Sequence, residues 1–376
     1  MGSGAFYHKE QLGESALRWV SLRTIAPERV LAQNILDERG RVLLARGMKL
    51  SMAMIERLRK LGVGSVCIED EMTDDLEGRE FIHPHTRQAL LEATYQTLNE
   101  MISGTYSRVV RPPRLRQRLQ PLILEVIDQL RKLGGAGEHF GTVYLSDGEL
   151  YHHSVNVALF ALGVAVGLGM SESQMIDLGI GALLHDIGKL RIPESILKKP
   201  GRLTDEEFEH MKLHTNYGYQ VLRETGDINA AAALVALEHH ERVDGTGYPR
   251  GLVGNEIHLF GRVTGLVDVY EALTANRVYR PANLPHHALE LLLGGGGTQF
   301  DPTVVHAFVK TISVYPVGMT LILSTGHKAV VINSPHFQTQ RPVVRIIEDL
   351  AGNAVEDSWE IDLAKDLTTQ IVGCES

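Results

Sequence analysis

The stretch His239-His240-Glu241-Arg242-Val243-Asp244-Gly245-Thr246-Gly247-Tyr248-Pro249 sets two adjacent imidazoles before a loop that carries two glycines and closes on Tyr248-Pro249. Neighbouring histidines fill a core poorly, so their use depends on what else lies within reach. Nine of the 17 histidines fall between His139 and His258. In that window Glu149 and His153 stand i, i+4 on a helical pattern, which turns both side chains toward one point. His185 and Asp186 close the apolar run from Gly179 to Lys189, and an ionised Asp186 in the last turn of a helix needs a positive partner. His214 lies in a stripe with Phe208, Met211, Gly218 and Leu222, whereas His210 falls at its edge and is read as solvent-facing. Asp268 interrupts the mostly apolar run Arg262–Leu273, where a carboxylate without a partner is costly.

Each residue alone has a plain structural role: a core or surface histidine, a first-turn acid, a hydrogen-bonded core acid. Taken in order on consecutive helices, Glu149, His153, His185, Asp186, His214, His239, His240 and Asp268 read as one metal-binding set. Imidazole with carboxylate suits iron, manganese or zinc, and no thiolate is at hand to bias the choice. Eight ligands exceed the needs of one ion, and a carboxylate such as Asp186 can bridge ions about 3.5–4 Å apart. His239 and His240 point about 100° apart on a regular helix, so a relaxed helix end is expected to bring both to one cluster. Gly245 and Gly247 permit tight backbone there, Pro249 stiffens the loop, and Tyr248 offers a ring and a hydroxyl to a nucleotide.

Those residues require helices to carry them. Residues 149–167 follow a cap at Ser146 or Asp147. Ser171 with Gln174 makes a capping-box pattern for a helix running to Gly188, and Thr204 with Glu207 repeats it before 205–224. Asp227 is the expected cap of a helix over 228–240. Around this core the pattern changes. Residues 29–36 and 41–45 read as strands around the turn 37–40, a short helix follows from Ser51 to about Leu61, and 65–70 returns as a strand. The basic run 108–119 reads as a connector or solvated face, and Gly294–Gly297 interrupts the helices. Beyond Pro316, residues 319–324, 328–333, 342–347 and the stretch from Trp359 to Leu363 read as short antiparallel strands. The chain is thus expected to be mainly α. A small N-terminal α/β region (1–70), a helical connector (71–140), a helical domain (141–315) and a C-terminal β region (316–376) make up its organisation.

A formal charge of −9 disfavours DNA, RNA or an anionic membrane as partner. The longest uncharged run, Val155 to Met170, is too short for the roughly 18–20 residues of a membrane span. Cys67 and Cys374 lie far apart, which argues against a disulfide framework and fits a reducing cytoplasm. The start of the chain lacks a signal-peptide pattern.

His153-Ser154, His185-Asp186-Ile187-Gly188-Lys189, His214, the stretch His239–Pro249 and Asp268 resemble the HD-GYP family of the HD metal-dependent phosphohydrolases. The likeness runs through about 141–315 and extends to residues 198–207 and 276–280. It implies an HD-type helical bundle around two or three divalent transition metals, iron or manganese, with no organic cofactor. On the same resemblance, His153, His185, Asp186 and Asp268 hold one ion and His214, His239 and His240 a second, with Asp186 bridging. Glu149 matches the acidic ligand of the three-metal type. Lys189 resembles the phosphate-contacting lysine, and Arg277 and Arg280 fall where the family places cations near the substrate. The implied activity is a cyclic di-GMP phosphodiesterase in which a hydroxide bridging two ions attacks phosphorus and yields pGpG, with a further cut to GMP left open. Two other readings stay open: a cyclic-dinucleotide receptor with little turnover, and a hydrolase for a hybrid cyclic dinucleotide. Helical pairing between copies leaves a homodimer open.

Overall fold

In the computed structural model the described residues are 18–375, except 38, 62, 74, 76–81, 103–113, 133–149, 276–284, 312, 316, 334–339 and 356. The N-terminal unit contains β1 (Arg18–Ser21), β2 (Ile35–Leu36), β3 (Val42–Leu44), α1 (Met52–Lys60) and β4 (Ser65–Ile68). Strand β1 pairs antiparallel with β4, and β2 with β3. The Ser51 hydroxyl caps α1 by accepting from Met54 N. Ile55 and Leu58 of that helix join Leu22, Leu31, Leu50 and Val66 in a small core of its own.

The helical body follows with α2 (Pro84–Ile102), α3 (Leu115–Lys132), α4 (Leu150–Gly167), α5 (Glu172–Leu183), α6 (Glu194–Leu197) and α7 (Asp205–Thr225). It continues through α8 (Ala230–Glu238), α9 (Leu259–Thr274), α10 (Pro285–Gly294) and α11 (Pro302–Thr311). Helix α4 is apolar almost all round, and Val155, Val157, Leu159, Ala161, Leu162 and Val164 are all buried, which makes it the central rod. Capping boxes open α5 at Ser171 and α7 at Thr204, as their sequences lead one to expect.

Three sequence expectations need correction. The helix from Ser171 stops at Leu183, so His185 and Asp186 lie beyond its end and the chain continues as a 3-10 turn over Ile187–Arg191. The reason is contact: a side chain at Gly188 would sit 1.8 Å from the His214 carbonyl, so the turn must leave the α5 axis to press on α7. Asp186 therefore owes its need for a cation to burial and not to a helix end. Helix α8 is capped by Asn229, whose Oδ1 accepts from Ala231 N. Asp227 instead accepts from Arg116 N at the start of α3. The described part of the basic run is solvated on one side only: Arg114 and Gln117 are exposed, whereas Leu115 and Leu119 are fully buried and Arg116 pairs with buried Asp177 at 2.5 Å.

The C-terminal part is a five-stranded antiparallel sheet ordered β8-β7-β6-β5-β9, from β5 (Thr320–Leu323), β6 (Lys328–Asn333), β7 (Val343–Glu348), β8 (Glu360–Asp362) and β9 (Ile371–Cys374). Four of these strands were legible in the sequence; β9, short and holding Gly373, was not. In the N-terminal unit the expected strand 29–36 is broken: Val30 and Leu31 make isolated bridges to Lys49 and Ile68, Ile35–Leu36 pair with β3, and between them Asn34 turns its side-chain oxygen to Arg46 N at 2.8 Å. The two outer units touch. Trp19 N donates to Gly318 O at 2.8 Å, Arg18 reaches Glu348 at 3.5 Å, and Arg345 grips Asp75 through two bonds of 2.5 and 2.7 Å.

Candidate metal centre

Four elements converge on Asp186: α4 brings His153, the turn after α5 brings His185 and Asp186, α7 brings His214, and the end of α8 brings His239 and His240. Asp186 is 2% exposed and its two oxygens face different imidazoles. Its Oδ2 lies 3.3 Å from His185 Nε2 and 3.7 Å from His153 Nε2. Its Oδ1 lies 3.5 Å from His214 Nε2 and 3.8 Å from His239 Nε2, and has no hydrogen-bond partner of its own. Among the described residues, ligand atoms of His153, His185 and Asp186 lie within 4.8 Å of one another, as do those of Asp186, His214, His239 and His240. Asp268 Oδ1 stands 3.2 Å from His153 Nε2, on the first group's side. Glu149, Arg277 and Arg280 lie outside the described residues.

The ring tautomers follow from the backbone. His185 Nδ1–H donates to Ala182 O at 2.8 Å, His214 Nδ1–H to Met211 O at 2.6 Å, and His239 Nδ1–H to Val235 O at 3.0 Å. A carbonyl only accepts, so each Nε2 turns a lone pair inward, the arrangement a metal-binding imidazole needs. His214 Nε2 and His239 Nε2 come to 3.3 Å with a lone pair on each, and such a meeting is favourable only about a shared cation or proton. His153 is held from behind by Glu271, whose Oε2 lies 2.6 Å from Nδ1.

Electrostatics sort the groups. Burial, helped by neighbouring imidazoles, pushes His214 below its usual range, His239 well below it, and His240 down to about 4. Burial pulls His153 the same way, but the Glu271 and Asp268 carboxylates outweigh it and raise its imidazolium to about 10. Asp186 is driven upward by burial, yet Lys189 and His185 hold it well below the carboxylate range. Asp268 is likewise held low, by His153 against burial. Neutral imidazoles on one side and ionised carboxylates in the middle are the protonation states a metal requires. The lone Asp186 oxygen, the inward lone pairs and the absence of sulfur together fit hard to borderline divalent cations. Lys189 makes an ion pair with Asp186 Oδ2, at the mouth of the cluster.

The loop after α8 borders the centre. The Tyr248 ring stacks on His240 with centroids 4.7 Å apart, and Gly245 adopts φ +80. Gly247 is required by close approach, since a Cβ there would meet Arg242 N at 2.4 Å. Glu241 shapes the loop by accepting from Arg250 N at 2.8 Å and Leu252 N at 3.0 Å, just after Pro249. A cavity of about 340 Å³ opens beside Tyr248 and His240, with Gly247, Arg262 and Phe300 in its wall. That is within the range of small-molecule sites. His210 is exposed, as expected. Sequence reasoning missed Glu271. The expense of a carboxylate in an apolar helix, invoked for Asp268, applies equally three residues on.

Residues 143–304 match the HD domain model, and residues 320–376 match a KOW domain associated with HD domain. A cyclic di-GMP phosphodiesterase of Pseudomonas aeruginosa is 36% identical over 61% of this chain and 56% of its own length. One of Thermotoga maritima is 41% identical over 44% of this chain and 45% of its own. A 3'3'-cGAMP-specific phosphodiesterase of Vibrio cholerae is 38% identical over 44% of this chain and 35% of its own. The chain thus spans about half, or less, of the length of these relatives. No helix among the described residues is long and apolar enough to cross a membrane.

Proposed function

We propose that the chain is a metal-dependent cyclic di-GMP phosphodiesterase that opens a 3'-5' phosphodiester to give pGpG. The observation that carries this reading is the division of Asp186: one oxygen toward His153 and His185, the other toward His214 and His239. A carboxylate so placed is suited to bridge two divalent cations, iron or manganese, with Asp268 completing the first site and His240 the second. Glu149 is the proposed ligand of a third. Bound cations supply acidified water and neutralise charge on the attacked phosphate.

The chain's own residues do the rest. Asp186 and Asp268, held ionised, and His214, His239 and His240, held neutral by burial, fix the charge of that part of the pocket before substrate arrives. Lys189 sits one ion pair away from the centre and is the proposed contact for a phosphate oxygen. Tyr248, with Gly245, Gly247 and Pro249 shaping its loop, presents an aromatic face to a guanine, and the neighbouring cavity has room for one. Arg277 and Arg280 are proposed to meet the other phosphate. A homodimer and a reducing cytoplasm, in which Cys67 and Cys374 stay reduced, belong to the same proposal.

Anaerobically purified protein loaded with Fe2+ or Mn2+ and given cyclic di-GMP is expected to form pGpG, and Asp186→Ala to abolish it. Turnover that survives Asp186→Ala would refute the assignment. A second reading, hydrolysis of a hybrid cyclic dinucleotide, is favoured by the relative named for 3'3'-cGAMP. Competition between the two nucleotides at equal concentration separates them.

A further inference from the structure

The strongest signal outside the ligand set begins behind His153. Its Nδ1 meets Glu271 Oε2 at 2.6 Å, and the other oxygen of Glu271 accepts from Asn156 Nδ2 at 3.1 Å. Asn156 Oδ1 in turn accepts from Arg87 at 2.6 Å. Three helices are strung together: α2 by Arg87, α4 by Asn156 and His153, and α9 by Glu271. Asn156 and Glu271 are 3% and 6% exposed, so little water is available to replace a lost partner.

The direction of the amide decides what Arg87 does. An asparagine has one accepting and one donating end, and only the donating end can face a carboxylate. A guanidinium has donors alone, so its bond to Oδ1 forces Nδ2 toward Glu271. With the guanidinium gone the buried Oδ1 loses that donor, the amide is no longer held at both ends, and its Nδ2 bond ceases to keep the carboxylate square to His153. We propose that Arg87 is a positioning residue for the metal centre, setting the His153 ring through Asn156 and Glu271. This rests on the reading of His153 as a ligand. Arg87 lies on α2, outside the HD domain, so the docking of α2 sets one ligand of a site it never touches.

Mn2+ uptake tests this, by equilibrium titration with elemental counting and by the Mn2+ electron paramagnetic resonance signal, in the full chain. Arg87→Gln is expected to weaken one class of Mn2+ site by about tenfold, at the low end of outer-shell substitutions, and to leave the other class unchanged. Arg87→Lys, which keeps a cationic donor, is expected to recover most of the loss. Glu271→Gln is expected to weaken the same class, and the double variant to bind no more weakly than Glu271→Gln alone, since both act on one path. Wild-type affinity in Arg87→Gln, or losses from Arg87 and Glu271 that add in full, would overturn the proposal while leaving the metal centre intact. A wild-type chain that takes up no Mn2+, or His153→Ala with unchanged stoichiometry, overturns the ligand reading and this proposal with it. Should Arg87→Gln not fold, Asn156→Asp serves. It sets a carboxylate against Glu271 and is expected to weaken Mn2+ at least as much, and unchanged affinity there overturns the proposal.

Discussion

Replacing Gly188 by alanine tests whether the turn carrying His185 and Asp186 is seated on α7 as tightly as the geometry demands. The added Cβ would lie 1.8 Å from the His214 carbonyl oxygen and 2.5 Å from Gly218 N, both backbone atoms that no rotamer change can move aside. Bringing 1.8 Å to an ordinary 3.4 Å parts the two elements by about 1.6 Å. Metal sites tolerate errors of about 0.2 Å in ligand distance. His214 Nε2, now 3.5 Å from Asp186 Oδ1, would leave the shared site. Overpacking of this kind costs about 3 kcal/mol. Urea unfolding of metal-free Gly188→Ala should register that loss, and Mn2+ titration should show the His214, His239 and His240 site weakened by at least tenfold. Gly294→Ala is the control, for nothing lies within 4 Å of its Cβ, and its stability should stay within about 0.5 kcal/mol of wild type. A Gly188→Ala protein with wild-type unfolding midpoint and wild-type Mn2+ uptake would refute the reasoning.

Asp186→Asn keeps the shape but not the charge, and because both oxygens are engaged, elemental analysis should find metal lost from both histidine groups; retention of one full equivalent would argue against a bridging role. In metal-free protein His240 is displaced from 6.5 to about 4, so the unfolded chain binds its proton first and stability should fall by roughly 3 kcal/mol on acidification through that window. The loss completes as pH passes below the folded value, and urea unfolding at successive pH values should show a slope that flattens in His240→Gln. Tyr248→Ala removes a ring stacked 4.7 Å from His240 and should raise the KM for cyclic di-GMP at least fivefold, given that base stacking is worth about 1–3 kcal/mol. Tyr248→Phe should stay within about twofold if the ring carries the contact, and equal effects from the two would point to the hydroxyl.

Much of this was legible in the residues, for reasons that are local. Ser171 with Gln174 and Thr204 with Glu207 announce helix starts because each pair satisfies its own backbone donors within four residues. Residues 328–333 read as a strand because β-branched, apolar side chains run between turn residues, and β6 covers that same stretch. Asp186, His214 and His239 were recognisable as polar groups in apolar runs or stripes, and the fold brings them together. What escaped was set by contacts between distant segments. Asp227 has the chemistry of a cap but finds Arg116 instead, 111 residues away in sequence. The break of the helix before His185 depends on the approach of α7 to Gly188, which no local pattern encodes. Glu271 was visible as a buried acid, but only the position of His153 gives it a purpose.

The contacts of residues 18–75 with residues 318–348 make the outer portions a clasp whose halves lie on either side of the helical bundle in sequence. Arg18 and Arg345 each reach across it, so cutting away one half takes a carboxylate partner from a largely buried cation on the other. The bundle is in this sense an insert held by its neighbours at two places, where α2 leaves one half and α11 enters the other. A load applied to either half is therefore felt at both junctions, and the halves are best removed, exchanged or joined as a pair.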